Sequence, residues 1–525
     1  MGVTIHFRWK NFFICFAISL GALAYGYLAA IISTTMGKPA FLLYMGLGDE
    51  SGEVFHDKEN LQGAITSVFQ AGAIIGCLCS CYITDTYGRK AGMIYCSMLS
   101  ILGAAGLTGS PNIGAFITFR FFAGAGSWGY TAVAPVYCSE LAPPSVRGFF
   151  VGMIGAMLGL GYATANYFGL AFYYASDPTV SWRAPLGLQL FFPVMILCIL
   201  PFIPESPRYY LMMDKKEQAW SVIEKLHEDP TDRENEFARR EFYQMAQQAA
   251  YDRTINSSWI ELFRRPSYRK RVLFGMFLMI LCQSTGELVL NQYNQEPKFY
   301  AELGYNTLQT LILQTGRNSI AFLGNLIGAF IIDRFGRRKL LLNGLGGCIV
   351  YLCIEAAMVA QYADSGTNRA GLGVGVAALY VFLVFYALGM DAASWVILSE
   401  IFPNFIRAKG YAVAVATKSA INLVYLQVTP MGFAELGWRY FMVYVSISVV
   451  GFVLLYWAAP ETKGIPLEEV AALFGDKDDI MVYQDQIHVD HTSHKVVVDG
   501  HREHTEIRQR TVEERTDRGV DREGV

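Results

Sequence analysis

Three charged residues interrupt stretches of the sequence that are otherwise almost wholly apolar: Glu287, Asp391 and Lys418. A charge among apolar helices is costly, so it usually faces a cavity or a partner of opposite charge. A carboxylate in such a place can carry a proton, and a nearby cation can bind a polar solute. These residues are therefore candidates for proton transfer or direct solute contact. A purely structural Asp391–Lys418 ion pair is the competing interpretation.

Polar and aromatic residues in the same apolar stretches complete the set of candidate ligands. Amide groups can hydrogen-bond to the hydroxyl groups of a solute, and aromatic rings can cover its apolar faces. The substrate-binding candidates are Gln283, Glu287, Asn291, Trp395, Asn422, Tyr25 and Asn166. For Tyr25 and Asn166 we favour interhelical packing. Arg317 and Glu355 are expected near the outer membrane surface, with their charged ends reaching water.

Long apolar runs must position these residues. The chain has 525 residues, of which 53% are hydrophobic and only 17% are charged, whereas soluble domains carry about 25% charged residues. About twelve runs reach the length of about 20 residues that spans a bilayer. The sequence therefore predicts an all-α integral membrane protein. Its parts are an N-terminal six-helix bundle (1–203), a cytoplasmic loop with short helices (204–270), a C-terminal six-helix bundle (271–460) and a largely disordered cytoplasmic tail (461–525).

Composition argues against several other classes of protein. The net charge of −3 gives no sign of a nucleic-acid partner. The ten cysteines lie in or beside apolar runs, which is not the pattern of a disulfide framework. No His accompanies Cys77, Cys79 and Cys81, and the histidines of the tail are irregularly spaced. We therefore expect no metal, no cofactor and no enzymatic activity.

The two apolar parts of the chain repeat three motifs in the same order. Three pairs of segments match: 85–90 with 333–338, 139–147 with 399–407, and 204–206 with 460–462. All three lie at nearly one offset of about 250 residues, which indicates duplication of a six-helix unit. In such a protein the substrate binds near the middle of the membrane, between the repeats.

Lys and Arg are concentrated in the short loops that contain these motifs, whereas the loop at 36–60 is rich in Asp and Glu. The positive-inside tendency places the first set of loops in the cytoplasm. We therefore expect a multi-pass protein of the cell membrane, with the lipid bilayer around it and both termini in the cytoplasm.

The repeated motifs predict a charge network at the cytoplasmic side that holds the halves together and releases as they move. Bare topology signals in loops are the alternative, but the spacing is kept in both copies. We name this set the latch network: Asp85, Gly88, Arg89, Arg120, Glu140, Arg147, Glu205, Arg208, Asp333, Gly336, Arg337, Glu400, Arg407 and Glu461.

These motifs resemble those of the sugar porter family of the major facilitator superfamily, over roughly residues 10–470. Arg120, Glu140 and Arg147 follow the fourth-span signature of that family, and 204–208 and 460–464 resemble its motifs after spans six and twelve. Segments 283–286 and 407–410 are most similar to fungal lactose-permease-like and hexose transporters. The resemblance implies a major facilitator fold. It also implies transport of a mono- or disaccharide by alternating access, either facilitated or as proton symport.

The candidate binding region departs from the family pattern. Leu28 stands where proton-coupled members usually carry an Asp, and Glu287 replaces an Asn of related permeases. Lys418 stands where an uncharged polar residue is more usual. If transport is proton-coupled, Glu287 or Asp391 would have to carry the proton. Two alternatives remain open: a transporter of a non-sugar, acidic or secondary metabolite, and a sugar receptor that does not transport.

Overall fold

The computed structural model describes residues 9–47, 58–143, 146–227, 235–255, 258–288, 290, 307–362, 369–476, 481–483, 486–489 and 496–498. Helices make up most of this part of the chain, and nine of its helical segments are long and apolar enough to span a bilayer. A backbone inside a bilayer must satisfy its own hydrogen bonds, which is why apolar runs of this length fold as helices.

The first half consists of five long helices and a sixth span built from two shorter ones. Its helices are α1 (Trp9–Met36), the short α2 (Pro39–Tyr44), α3 (Lys58–Tyr87), α4 (Arg89–Gly109), α5 (Ile113–Leu141), α6 (Arg147–Ala171), α7 (Pro178–Gly187) and α8 (Phe191–Ile199). A 3₁₀ turn at Leu188–Leu190 joins α7 to α8, so the two form one continuous span.

Four short helices follow the first half, and the second half repeats its plan. The short helices are α9 (Pro207–Met212), α10 (Lys216–His227), α11 (Glu236–Asp252) and α12 (Trp259–Arg264). The second half contains α13 (Pro266–Ser284), α14 (Thr307–Phe335), α15 (Arg337–Tyr362), α16 (Arg369–Phe385), α17 (Ala392–Glu400), α18 (Asn404–Leu436) and α19 (Tyr440–Ala458). A π-helical segment, Tyr386–Asp391, connects α16 to α17.

The halves meet along two helix pairs, α6 with α14 and α3 with α18. Glycines permit the first contact: an added Cβ at Gly159 would lie 2.9 Å from the Cα of Phe322, and one at Gly152 would lie 3.0 Å from the Cα of Ala329. Small residues allow helices to approach closely where the bilayer provides no hydrophobic driving force. The two pairs leave a space between the halves.

Both repeated glycine turns lie at the same end of the bundle, which we call the latch face. Helices α9 to α11 cover part of it, packed around a small core that includes Leu211, Ile223 and Met245. The segment after α19 continues onto this face as a 3₁₀ helix, Val470–Phe474. The sequence predicts short helices in the loop 204–270, and the described part of that loop contains four.

The tail contributes one element that the sequence did not suggest. Residues Ile487–Val489 and Val496–Val498 pair as an antiparallel two-stranded ribbon, with Ile487 opposite Val498. β-Branched residues such as valine are typical of strands. The disorder expected for the tail concerns mostly residues that lie outside those described. The candidate ligand Asn291 also lies outside them.

Candidate functional site

A cavity lies between the halves and has about 890 Å³ of empty space, its open mouth included. Helices α1, α3, α5 and α6 line one side, and α13, α14, α18 and the π-helical segment line the other. Six of the candidate residues are on its wall: Tyr25, Gln283, Glu287, Asp391, Lys418 and Asn422. Residues separated by almost 400 positions in sequence are thus brought to one site.

Asp391 and Lys418 do not form the direct ion pair that was one interpretation of their positions. The indole of Trp395 lies between them instead. Its Nε1–H donates to the Asp391 carboxylate at 3.0 Å, and the Lys418 ammonium lies 4.3 Å from the ring centroid. Asn325 donates a second hydrogen bond to Asp391, at 3.1 Å. Trp395 is buried and does not line the cavity. It therefore holds the side chains of Asp391 and Lys418 from behind the cavity wall.

Glu287 forms an ion pair with Arg317, one of the two residues that we expected near the outer membrane surface. Arg317 Nη2 lies 3.4 Å from Glu287 Oε1, and its side chain is almost fully buried rather than reaching the outer surface. Glu355 is also buried, with 1% of its surface exposed, and an added Cβ at Gly375 of α16 would lie 3.4 Å from its carboxylate. Both residues face neighbouring helices, so neither extends to water as expected.

Arg120 lies in the cavity wall and not in the latch network to which its motif assigned it. It is about 20 residues from Glu140 on the same helix, a distance of about 30 Å along the axis. Its Nη1 donates to the Leu28 carbonyl at 3.1 Å, and its Nε donates to the Ile65 carbonyl at 3.4 Å. The guanidinium carbon lies 4.1 Å from the centroid of the Phe69 ring.

The remaining two candidates differ in position. Tyr25 lines the cavity and packs edge-on against Trp128, with ring centroids 4.8 Å apart. Asn166 is buried away from the cavity wall, and its amide makes no hydrogen bond with the described residues. Its position agrees with the packing interpretation.

Several residues of the wall were missed from the sequence. They are Gln70, Tyr162, Asn318, Asn325 and Tyr386. Tyr386 and Asp391 bracket the π-helical segment, and such segments change which side chains face a site. Nothing in the sequence marked that irregularity. The amide and phenol groups of these residues give the cavity hydrogen-bonding groups from both halves.

In the first half, the latch network is a tight cluster around Glu140. Arg89 binds both carboxylate oxygens of Glu140, at 2.8 and 2.7 Å, and Ser206 Oγ donates at 2.5 Å.

Glu205 accepts from the backbone N–H groups of Arg89 and Lys90, at 3.0 and 3.1 Å. Those N–H groups are in the first turn of α4, where they lack helical partners and favour a negative charge. Asp85 stands at the limit of ion-pair distance from Arg89, 4.0 Å.

The second half repeats this cluster residue for residue. Arg337 binds both oxygens of Glu400, at 3.1 and 2.8 Å, and Thr462 donates to Glu400 at 2.6 Å. Glu461 accepts from the N–H groups of Arg337 and Arg338 at the start of α15, at 3.0 and 3.2 Å. Asp333 adds an ion pair with Arg337 at 2.9 Å. The predicted equivalence of the two sets of motifs therefore extends to individual hydrogen bonds.

Each cluster also contacts the opposite half. Asp333 accepts from the backbone N–H of Phe149 at 2.8 Å, and Arg407 lies 3.6 Å from Glu140. Arg147 donates to the Ile465 carbonyl at 3.3 Å. These contacts close the latch face between the halves.

Arg208 and Glu468 add a further contact between the two parts of the latch face. The distance between Arg208 Nη2 and Glu468 Oε1 is 2.9 Å, and both side chains are buried. Burial raises the pKa of Glu468, but the ion pair with Arg208 and the nearby charges of Arg407 and Arg147 together outweigh burial and hold that pKa below its usual range. The pair is therefore ionised at neutral pH.

The comparisons with known proteins agree with this arrangement. The family described as "Sugar (and other) transporter" matches residues 14–474. MFS-type transporter criB of Aspergillus cristatus is 29% identical over 458 residues, covering 87% of this chain and 91% of its own. The quinate permease of Emericella nidulans is 28% identical over 495 residues, covering 90% of each chain.

Solved structures show the same fold. The proton:xylose symporter XylE bound to 6-bromo-6-deoxy-D-glucose superposes with a TM-score of 0.77 at 24% identity, covering 88% of this chain and 99% of its own. A partially occluded inward-open form of the xylose transporter XylE from E. coli gives 0.69 at 22% identity, with 87% and 100% covered. Both support the architecture of two six-helix halves.

Proposed function

The chain belongs to the sugar and other transporter family, and from that premise we propose that it carries a small polyhydroxylated compound across the cell membrane by alternating access. Transporters of this architecture bind their substrate at the interface of the repeats and rock one half against the other. Family and relatives are membrane transporters and permeases, not enzymes.

One observation carries the proposal: a polar cavity between the halves, on a bundle whose latch face is held closed by ion pairs. Amides from both halves, among them Gln70, Gln283 and Asn422, surround this space. Amide groups both donate and accept hydrogen bonds, which suits a substrate with several hydroxyl groups.

Two substrate classes fit this description. A mono- or disaccharide is favoured by the family and by the xylose symporter among the similar structures. A hydroxylated ring acid is favoured by the relatives named as quinate permeases. The wall also carries two cations, Arg120 and Lys418, and a cation that can bind a carboxylate supports the second class.

Proton coupling, if present, is proposed to use Glu287 or Asp391. Leu28 has no titratable group at the position where proton-coupled sugar porters usually have an Asp. Both carboxylates line the cavity, so a proton could reach them from the solvent that enters it. The excess of Lys and Arg in the short loops of the latch face supports an orientation with that face and both termini in the cytoplasm.

Uptake measurements test the proposal. The chain is expressed in a host that lacks its own sugar and hydroxy-acid permeases, and radiolabelled sugars and quinate are supplied with and without a protonophore. We expect saturable uptake of at least one class, and Gln283→Ala is expected to reduce it. Gln218→Ala is the matched control, because Gln218 is exposed on α10. Absence of uptake of every compound by a chain that reaches the membrane would contradict transport.

A further inference from the structure

Lys418 lines the cavity, and its ammonium group has no hydrogen-bond acceptor among the residues that the structure describes. Only 5% of its surface is exposed. The ammonium lies 4.3 Å from the centroid of the Trp395 ring, which attracts the charge but offers no oxygen or nitrogen acceptor. An ammonium group carries three N–H donors. A buried charge is costly when its donors remain unused, so these donors call for a partner.

The carboxylates of the wall are engaged by other groups. Asp391 accepts from the indole N–H at 3.0 Å and from Asn325 at 3.1 Å, and the indole separates it from Lys418. Glu287 forms its ion pair with Arg317, at 3.4 Å. Lys418 therefore keeps its donors for a molecule that enters the cavity.

Two amide oxygens without partners line the cavity beside this cation. Asn422 follows Lys418 by one helical turn on α18, so the two side chains lie on the same face of that helix. Gln283 lies on α13, which packs against α18. The Asn422 Oδ1 and Gln283 Oε1 atoms are buried and make no hydrogen bond with the described residues. Amide oxygens accept hydrogen bonds from hydroxyl groups.

We propose that Lys418 binds a carboxylate of the substrate, while hydroxyl groups of the same molecule donate to Asn422 and Gln283. A hydrogen bond between an ammonium and a carboxylate is stronger than one between neutral groups. The three side chains belong to the second half, so the acidic end of the substrate would be held there. The charge also departs from the sugar porter pattern, in which an uncharged polar residue is more usual at position 418. The inference rests on the proposed function and narrows its substrate to hydroxylated acids.

Lys418→Gln tests this inference, because it removes the charge and keeps a polar group on a side chain of similar reach. The readout is the ratio of uptake of an acid to uptake of its neutral carboxamide, so that changes in expression cancel. Two pairs are compared: quinate with quinamide, and glucuronate with glucuronamide. Because hydrogen bonds between charged groups are the stronger ones, we expect Lys418→Gln to lower the ratio by about tenfold or more in at least one pair.

Two further variants separate the charge from the shape of the site. Gln283→Ala removes an acceptor that would serve the hydroxyl groups of both members of a pair. It should therefore reduce uptake of both and leave their ratio close to that of the wild type. Lys418→Arg keeps the positive charge, and its ratio should remain above that of Lys418→Gln. A merely structural role of Lys418 would lower uptake of acid and carboxamide equally.

Three results would overturn the inference: a ratio unchanged by Lys418→Gln in both pairs, an equal fall of the ratio in Gln283→Ala, or a wild type that binds the carboxamide more tightly in both pairs. Equilibrium binding to the purified protein in detergent gives the same ratios without a membrane potential, and for any variant that no longer transports. The inference and the proposed function fail differently. Uptake of sugars or carboxamides without the acids removes the role of Lys418 and leaves transport intact, whereas uptake of none of these compounds removes both.

Discussion

At the scale of single residues, the indole of Trp395 connects two opposite charges that do not touch. Its N–H group serves Asp391, and its ring face serves Lys418. The negative face of an indole attracts an ammonium group, and the attraction grows when both are removed from water. This arrangement keeps the Asp391 carboxylate and the Lys418 ammonium apart, so that both remain on the cavity wall.

Trp395→Phe is expected to weaken the hold on Asp391 while keeping an aromatic ring beneath Lys418. The loss of one hydrogen bond to a carboxylate is worth about 1.5–3 kcal/mol, and we expect both uptake rate and thermal stability to fall. The measurement is a double-mutant cycle with Asp391→Asn, read out by thermal unfolding in detergent. If Trp395→Phe causes the same loss in both backgrounds, the indole N–H is not the connecting group.

Unlike Asp391, Glu355 is a buried carboxylate with neither oxygen hydrogen-bonded in the described part of the chain. Replacing it with Met, which is similar in volume, removes that unpaired polar group from α15. An unsatisfied buried group costs about 1–3 kcal/mol. We therefore expect Glu355→Met to raise the thermal unfolding temperature of the purified protein.

Glu140→Met is the matched comparison for Glu355. Its carboxylate is bound by Arg89 and Ser206, so the same substitution leaves a buried arginine without its partner. Breaking such a pair costs about 3–5 kcal/mol, and the unfolding temperature should fall. A decrease in both variants would show that Glu355 has a stabilising partner.

At the scale of elements, the glycine turns of the latch network combine two requirements. Gly88 has φ +102°, and an added Cβ would lie 2.5 Å from Glu205 Oε2; Gly336 has φ +88° and the same distance to Glu461 Oε2. A side chain there would be strained in its backbone and would also displace the carboxylate that caps the next helix. Each turn therefore requires glycine for two reasons: the positive φ and the space that the carboxylate occupies.

Alanine at these turns should therefore cost more than backbone strain alone. We expect Gly88→Ala to destabilise the protein by more than the roughly 1–2 kcal/mol that a positive φ costs an L-residue. Gly464 separates the two effects, because it has φ +71° and open space around it. Thermal unfolding should give the order Gly88→Ala, then Gly464→Ala, with Gly109→Ala near neutral because nothing lies within 4 Å of its added Cβ. Equal effects at Gly88 and Gly464 would exclude the capping role of Glu205.

Elements were predicted more successfully from the sequence than the residues that face the cavity. Apolar length revealed the spans, and the duplicated motifs revealed the equivalence of the Arg89 and Arg337 clusters. Arg120 and Trp395 were assigned the wrong surroundings. A helix that is buried all round has no polar face, so its rotation cannot be read from hydrophobic periodicity. The π-helical segment at Tyr386–Asp391 shifts that rotation again, without any signal in the sequence.

At the scale of the whole molecule, the two halves are equivalent in their clusters but not in the contacts between them. Arg407 reaches Glu140 at 3.6 Å, whereas Arg147, its counterpart, binds the Ile465 carbonyl. Glu468, in the segment after the last span, meets Arg208, in the segment after the sixth. The contacts within each half are thus symmetric, whereas those between the halves are not. Opening of the latch face requires only the contacts between the halves to break.

Glu468→Gln should therefore shift the molecule towards an open latch face without unfolding either half. Arg208 would lose the charge that holds it, and its remaining bond, to the Glu140 carbonyl at 2.9 Å, lies within its own half. The measurement is the distance distribution between spin labels at Thr86 and Arg334, which are exposed on the two turns. We expect a larger population of long distances. Glu217→Gln, an exposed change on α10, is the control and should leave the distribution unchanged.

The dependence of latch closure on pH follows from the same pair. The pKa of Glu468 lies below its usual range when the latch is closed, because Arg208, Arg407 and Arg147 together outweigh the effect of burial. A group with a depressed pKa stabilises the closed state at pH values above the pKa of the open state, and that stabilisation is lost as the pH falls through the closed-state value. The pKa of an exposed Glu is about 4.3. Label distances in the wild type should therefore be constant between about pH 6 and pH 8 and lengthen only in stronger acid, whereas those of Glu468→Gln should be long throughout. Lengthening of the wild-type distances near neutral pH would mean that another group controls closure.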